Sequence, residues 1–173
     1  YSAVMIALKE SGQFQQSVYA WAIAVGQRVA ALVLQGSPVP GALKLQFMLA
    51  RWLALDNVRR LIGIHRARFL VTGAAPISPE LIRWYLALGV PMLEVWGQTE
   101  SCGASTGMPA ARIKPGSIGP ACSFNEVKVD AATGELLIRG TNVFMGYLNQ
   151  PTKTAEAIDA EGAKKPRQLH QYW

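Results

Sequence analysis

The stretch from Ala67 to Trp96 constrains this chain more than any other, because its hydrophobic period changes twice within it. "ARFLVTG", Ala67 to Gly73, is a short apolar run that ends in glycine and reads as a buried strand. After the turn "GAAPIS", Ser78 suits an N-cap and Pro79 the first helical position, and the helix runs to Leu88 with Gly89 as its stop. "PMLEVW" then reads as a second strand. Strand, loop, helix, strand makes a βαβ unit, whose strands must be parallel and whose crossover is right-handed. Parallel strands end at one edge of the sheet. The loop at Gly73 is therefore expected beside the loop at Gly97, in the crevice where open α/β sheets bind ligands.

The flanks fit this frame. Apolar residues at Phe14, Val18, Trp21, Val25, Val29 and Leu32 follow a helical stripe. "GSPVPG" stops that helix, a second runs from Ala42 to Leu55, and Asp56 can cap a third that reaches Ile62. Phe14, Trp21 and Trp52 are expected in the core. The apolar run "VYAWAIAV" stops at Gly26-Gln27-Arg28 and is too short to span a bilayer. Beyond Gly103 a loop rich in glycine and proline leads to two strands, "FNEVKV" and "GELLIRG", joined by "DAAT" as a hairpin. The expected organisation is an α/β portion over 1–121, the start of a small β subdomain over 122–162, and a divergent tail over 163–173.

The chain has 173 residues, half of them apolar, which is enough for one ordinary domain with a core. Its net charge of +6 is split between clusters such as "RRLIGIHRAR" and "KKPR", which read as a solvated basic rim. No interleaving of aromatic and basic residues supports nucleic-acid binding. Two cysteines, Cys102 and Cys122, lack metal or redox spacing and suit a reducing compartment. A cytoplasmic protein is expected, with peripheral membrane contact as an alternative. His65 and His170 are lone histidines read as surface residues. Arg139 and Asn142 read as shaping the loop before "FMGYLNQP".

The two juxtaposed loops carry different chemistry. "TGAAP", Thr72 to Pro76, offers small residues with accessible backbone amides, so that a flat ring or a phosphate can approach the main chain. "WGQTE", Trp96 to Glu100, offers an aromatic face, a hydroxyl for a phosphoryl oxygen, and a carboxylate suited to a hard cation such as Mg²⁺. Together they suit a nucleotide, although a glycine turn after a strand is commonplace and Trp96 could belong to the core.

"TGAAPISPEL", "EVWGQTES", "KPGSIGP" and "GELLIRGTNVFMGYLNQPTKTAEAID", in this order, resemble the AMP-forming acyl-CoA synthetases, especially the long-chain fatty-acid members of the adenylate-forming superfamily. The similarity runs from about Leu53 to Gly162. It implies part of that superfamily's N-terminal domain, a parallel sheet with flanking helices followed by a small β subdomain. It also implies a two-step ligation: ATP and a fatty acid give an acyl-adenylate and pyrophosphate, and the thiol of coenzyme A then displaces AMP. By the same resemblance Gly73, Ala74 and Ala75 line the adenine and acyl pocket, and Trp96 stacks near the adenine. Gly97, Gln98 and Thr99 border the AMP, and Glu100 binds Mg²⁺. Thr99 and Glu100 carry the catalytic role, which needs no protein nucleophile, so Cys102 is read as a bystander. Glu135 resembles the acid that opens a family strand, and a structural role is favoured for it.

Three family elements do not appear. The lysine-bearing loop for the pyrophosphate would precede Tyr1, and the ribose-binding aspartate would follow Gly162. The mobile C-terminal domain, with its lysine for adenylation, would come after that. The chain thus reads as an internal fragment of a larger ligase, inactive and marginally soluble by itself. The competing readings are activation of another acid or loading of a carrier protein, and a noncatalytic nucleotide-binding remnant. Oligomeric state is not legible.

Overall fold

The computed structural model describes residues 2–158, with side chains from Val4 onward. The expected tail at 163–173, His170 and the end of the expected β subdomain lie outside the described residues. The chain divides into two compact units. The first comprises residues up to Val71, Ile77–Leu93 and Ala110–Pro115; the second comprises Thr72–Pro76, Glu94–Pro109 and Gly116 onward.

The first unit is helical: α1 (Ser2–Lys9), α2 (Gln13–Leu34), α3 (Gly41–Ala50), a π-helical turn (Arg51–Leu55), α4 (Asp56–Leu61) and α5 (Pro79–Ala87). Helix α2 continues through Gly26-Gln27-Arg28, where the sequence suggested that the apolar run stops. By length and composition alone this 22-residue helix could cross a membrane. Here its buried stripe is Ala22, Val25, Gly26 and Ala30. Small residues let α2 approach α5 closely: a Cβ on Gly26 would come within 2.1 Å of the Ala87 carbonyl oxygen. Trp84 on α5 donates its indole N–H to the Tyr19 hydroxyl at 3.0 Å.

This stripe corrects the expected core. Phe14 and Trp52 are 80% and 75% exposed, and Trp21 is 41% exposed. Of the expected α2 stripe, Val25 is buried and Val29 and Leu32 pack against the core, but the most buried face is centred on Ala22, Gly26 and Ala30, rotated by about 100° from Trp21 to Ala22. Leu43, Ala50, Leu55, Val58, Trp84 and Leu88 fill the core instead.

Asp56 also differs from expectation. Its backbone is helical at φ −70° and ψ −27°, because the π-turn joins α3 to α4 without a break, so Asp56 caps nothing. Its carboxylate accepts from Arg51 at 3.2 Å and from Arg59 at 3.1 Å. Arg59, expected on a solvated rim, is 7% exposed and also donates to the His65 carbonyl. A buried guanidinium needs such partners, since an unpaired buried charge is strongly destabilising.

Strands β1 (Leu70–Thr72), β2 (Met92–Gln98) and β3 (Gly103–Gly107) form one sheet in that order. The sheet is mixed and β2 runs antiparallel to β3, so β1 and β2 are its parallel pair. The α/β reading therefore holds, with an antiparallel strand added where the sequence suggested loop, but β1 is not the buried strand expected: Leu70 and Thr72 are half-buried and Val71 is 55% exposed. "GASTG" lacks apolar alternation, and Ser105 and Thr106 are nonetheless buried. Ser78 takes the N-cap position before Pro79, with extended φ and ψ, but its side chain makes no cap bond.

The hairpin of the second unit pairs β4 (Asn125–Val129) with β5 (Leu136–Gly140), with Leu136 and Ile138 fully buried. Helix α6 (Pro151–Ala157) follows. Asp130 Oδ1 accepts the backbone N–H groups of Ala132 at 2.8 Å and Thr133 at 3.0 Å. Those two bonds, Thr133 first, hold the carboxyl below its ordinary 3.8. The folded value lies below the unfolded one, so this stabilisation is complete above pH 3.8 and lost as pH falls through the lowered value. Asp130→Asn, which keeps an acceptor oxygen but does not titrate, is expected to remove this part of the acid sensitivity. Comparing the two chains in acid unfolding, with ¹³C titration of the Asp130 carboxyl, checks it.

Candidate functional site

The loop at Gly73 and the end of β2 both belong to the second unit, and the backbone shows how closely they meet. A Cβ on Gly73 would lie 2.8 Å from the Val95 carbonyl oxygen and 2.9 Å from Val95 Cγ2. Glycine is required there because main chain packs on main chain. The next residue, Ala74, takes φ 65°, in the left-handed region that costs a residue with a Cβ about 1–2 kcal/mol. Gly73, Ala74 and Ala75 are all exposed. A small-residue ledge thus flanks β2, as the βαβ reading expects.

Strand β2 then delivers Trp96, Gly97 and Gln98, all half-buried. Trp96 pairs with Thr106 and Gly97 with Ala104, so Ser105 is the extra residue of a bulge. The bulge is held from outside the sheet: the Ser105 carbonyl accepts the Cys122 N–H at 2.9 Å and Asn125 Nδ2 at 2.8 Å. On the same strand, Thr106 Oγ1 donates to the Ile118 carbonyl at 2.7 Å. A Cβ on Gly119 would clash with Gly107 at 2.5 Å, so the backbone of residues 118–120 packs along β3. Glu94 Oε2 accepts the Gly116 N–H at 2.8 Å. Burial raises the Glu94 carboxyl, opposed by the Gly116 and Ser117 backbone bonds.

Past Gln98 the chain makes a 3₁₀ turn, Thr99–Ser101, and Cys102 closes it at φ 53°. Ser101, 1% exposed, is the pin of this turn. Its Oγ accepts the Gln98 N–H and lies 3.0 Å from both the Gln98 and Gly103 carbonyl oxygens. Thr99 is left exposed and Glu100 half-buried. Glu100 is held at both ends: its carbonyl accepts the Phe144 N–H at 2.7 Å, and its Oε1 accepts the Tyr147 hydroxyl at 2.6 Å. Asn142 Nδ2 adds a bond of 2.6 Å to the Ser101 carbonyl.

Ser101, Asn142 and Tyr147 were missed as site residues in the sequence. Asn142 does more than shape its own loop, and no spacing pattern could link Tyr147 to Glu100 across 47 positions. Cys102 and Cys122 are free thiols without a disulfide.

The donor set bears on a cation. Among the described residues, no three His, Cys, Asp or Glu side chains gather as a metal cage. A lone carboxylate such as Glu100 suits Mg²⁺, which commonly takes one or two carboxylates and completes its shell with water and substrate phosphates. A cavity of about 880 Å³ is lined by first-unit residues including Gln27, Leu34, Leu81 and Trp84. It contains none of the candidate residues.

The family model described as "AMP-binding enzyme" matches residues 7–148. The chain belongs to the AMP-binding enzyme family. It is 37% identical over 158 residues to the long-chain-fatty-acid–CoA ligase ACSBG2 of Gallus gallus, covering 88% of this chain and 20% of that protein. It is 34% identical over 156 residues to fadD11, a candidate fatty-acid–CoA ligase of Mycobacterium tuberculosis, covering 89% and 27%. The ATP-bound structure of MatB from Rhodopseudomonas palustris matches with a TM-score of 0.51 and 29% identity, over 57% of this chain and 22% of that one. The chain spans about a fifth to a quarter of the length of these relatives.

Proposed function

We propose that the complete natural protein carrying this chain is an AMP-forming ligase that activates a long-chain fatty acid and transfers it to coenzyme A. The observation that carries the proposal is local. The Gly73 ledge and the Trp96–Glu100 segment share one compact unit, with Gly73 against Val95 and the Thr99–Ser101 turn pinned by a buried serine. The fatty-acid–CoA ligase names of the relatives, and the ATP bound to MatB, support the substrate classes.

In this reading Gly73, Ala74 and Ala75 admit the flat base and the acyl chain against main chain. Trp96 stacks near the adenine, and Gly97 and Gln98 border the nucleotide. The fatty-acid carboxylate oxygen attacks the α-phosphorus of ATP, the bond to the bridging oxygen breaks, and pyrophosphate leaves with its electron pair. Thr99 donates its hydroxyl to a phosphoryl oxygen, and Glu100 would hold Mg²⁺, which supplies neutralisation of phosphate charge. Such fixed electrostatic contacts serve where anionic groups must approach one another. The thiol of coenzyme A then attacks the acyl carbon and AMP departs. A cytoplasmic location, or contact with a membrane surface, belongs to the same proposal.

ATP–pyrophosphate exchange in the complete protein tests it, with long-chain, short-chain and aromatic acids in parallel. Exchange that requires a long-chain fatty acid is expected. Exchange with another acid alone would reassign the substrate, and AMP binding without exchange under any acid would leave a noncatalytic nucleotide binder.

A further inference from the structure

Three contacts converge on the turn that carries Thr99 and Glu100, and all come from one loop after β5. Asn142 Nδ2 reaches the Ser101 carbonyl at 2.6 Å, the Phe144 N–H reaches the Glu100 carbonyl at 2.7 Å, and the Tyr147 hydroxyl reaches Glu100 Oε1 at 2.6 Å. The first two grip the backbone of the turn. The third grips the side chain, and it is short, as an O–H donor to a carboxylate oxygen should be.

We propose that Tyr147 is the positioning residue that aims the Glu100 carboxylate, fixing its rotation through the bond to Oε1. This rests on the reading that Glu100 holds Mg²⁺. A carboxylate on two flexible methylenes samples several rotamers in water, and a phenol anchored elsewhere selects one. Tyr147 is anchored well for the task. Its ring meets Phe144 edge to face, with centroids 4.8 Å apart. Its own N–H donates to Thr154 Oγ1 at 2.9 Å, and that hydroxyl donates to the Gln150 carbonyl at 3.0 Å, at the start of α6. Beside it, a Cβ on Gly146 would lie 2.6 Å from Thr154 Cγ2, so the loop and helix approach as closely as a glycine allows. The phenol thus belongs to a braced element rather than to a free surface side chain, although it is itself 36% exposed. Partners that orient a metal-binding side chain typically influence metal affinity 10- to 100-fold.

The test is Tyr147→Phe in the complete natural protein, which keeps the ring and its contact with Phe144 and deletes the hydroxyl. Mn²⁺ binding is followed by electron paramagnetic resonance with α,β-methylene-ATP saturating, beside Glu100→Gln and the parent protein. The expected result is an apparent Mn²⁺ affinity weakened about tenfold by Tyr147→Phe, with a matching rise in the Mg²⁺ needed for half-maximal pyrophosphate exchange. A fall in thermal midpoint with unchanged Mn²⁺ affinity would reduce Tyr147 to a structural contact and overturn the proposal. Tighter Mn²⁺ binding would make the hydroxyl a competitor for the carboxylate, which also overturns it. If Glu100→Gln weakens Mn²⁺ binding while Tyr147→Phe does not, the metal reading stands and only the positioning role falls. If neither does, Glu100 is not the metal ligand and both fall.

Discussion

Gly97→Ala is expected to destabilise the complete protein by about 3 kcal/mol and to abolish nucleotide binding at this site. The added Cβ would lie 1.7 Å from the Gly103 carbonyl oxygen and 2.8 Å from Ala104 Cα. These are backbone atoms of the paired strand, so no rotamer change relieves the clash, and β2 and β3 must part where Trp96 gives way to Thr99. Gly107→Ala is the control on the same sheet. Its Cβ would meet Val95 Cγ1 at 3.7 Å and Cys122 Sγ at 4.0 Å, which is ordinary contact. A surface-like change of within about 0.5 kcal/mol is expected there. Thermal midpoints of the two variants, measured against the parent, decide the matter. Equal midpoints would mean that β2 and β3 do not approach as described.

Glu100→Gln is expected to lower the rate of acyl-adenylate formation about 100-fold at limiting Mg²⁺. Glutamine is nearly isosteric and keeps an oxygen able to accept the Tyr147 hydroxyl, so the turn should fold as before. What it loses is the negative charge that attracts a hard cation. The deficit should therefore shrink as Mg²⁺ is raised. Single-turnover adenylation across a Mg²⁺ series measures it, and an unchanged rate at limiting Mg²⁺ would refute the role of Glu100.

Much of the fold around the site was legible because its signals are local. Ser78, Pro79 and Gly89 bracket α5, apolar runs mark β1 and β2, and the alternation of strand and helix makes those two strands parallel neighbours. What was illegible depends on distant backbone. β3 is built from "GASTG", where Ile118 meets the buried Thr106 hydroxyl and Asn125 and Cys122 meet the Ser105 carbonyl. The large aromatics Phe14 and Trp52 suggested a core, while the packing of α2 on α5 selected the small residues on the adjacent face. Asp56 looked like a cap because a helix was expected to begin there, and the π-turn made one continuous helical path instead.

The candidate site divides in the same way. Trp96, Thr99 and Glu100 could be read as a chemical set from five consecutive residues. The residues that orient them could not, since Ser101 looks like any turn serine and Tyr147 lies on a different loop. Burial and hydrogen bonding across the chain distinguish them.

The pinning of the Thr99–Ser101 turn has a thermodynamic consequence for any ligand that meets it. Ser101 is buried within its own turn, and Phe144 and Asn142 close the turn from the other side. The loss of freedom is therefore met during folding, whereas a mobile loop would charge about 0.5–1.5 kcal/mol per ordered side chain against each binding event. A turn pinned in this way should bind with a small entropic penalty, so that selectivity is left to the parts of the ligand that reach beyond it.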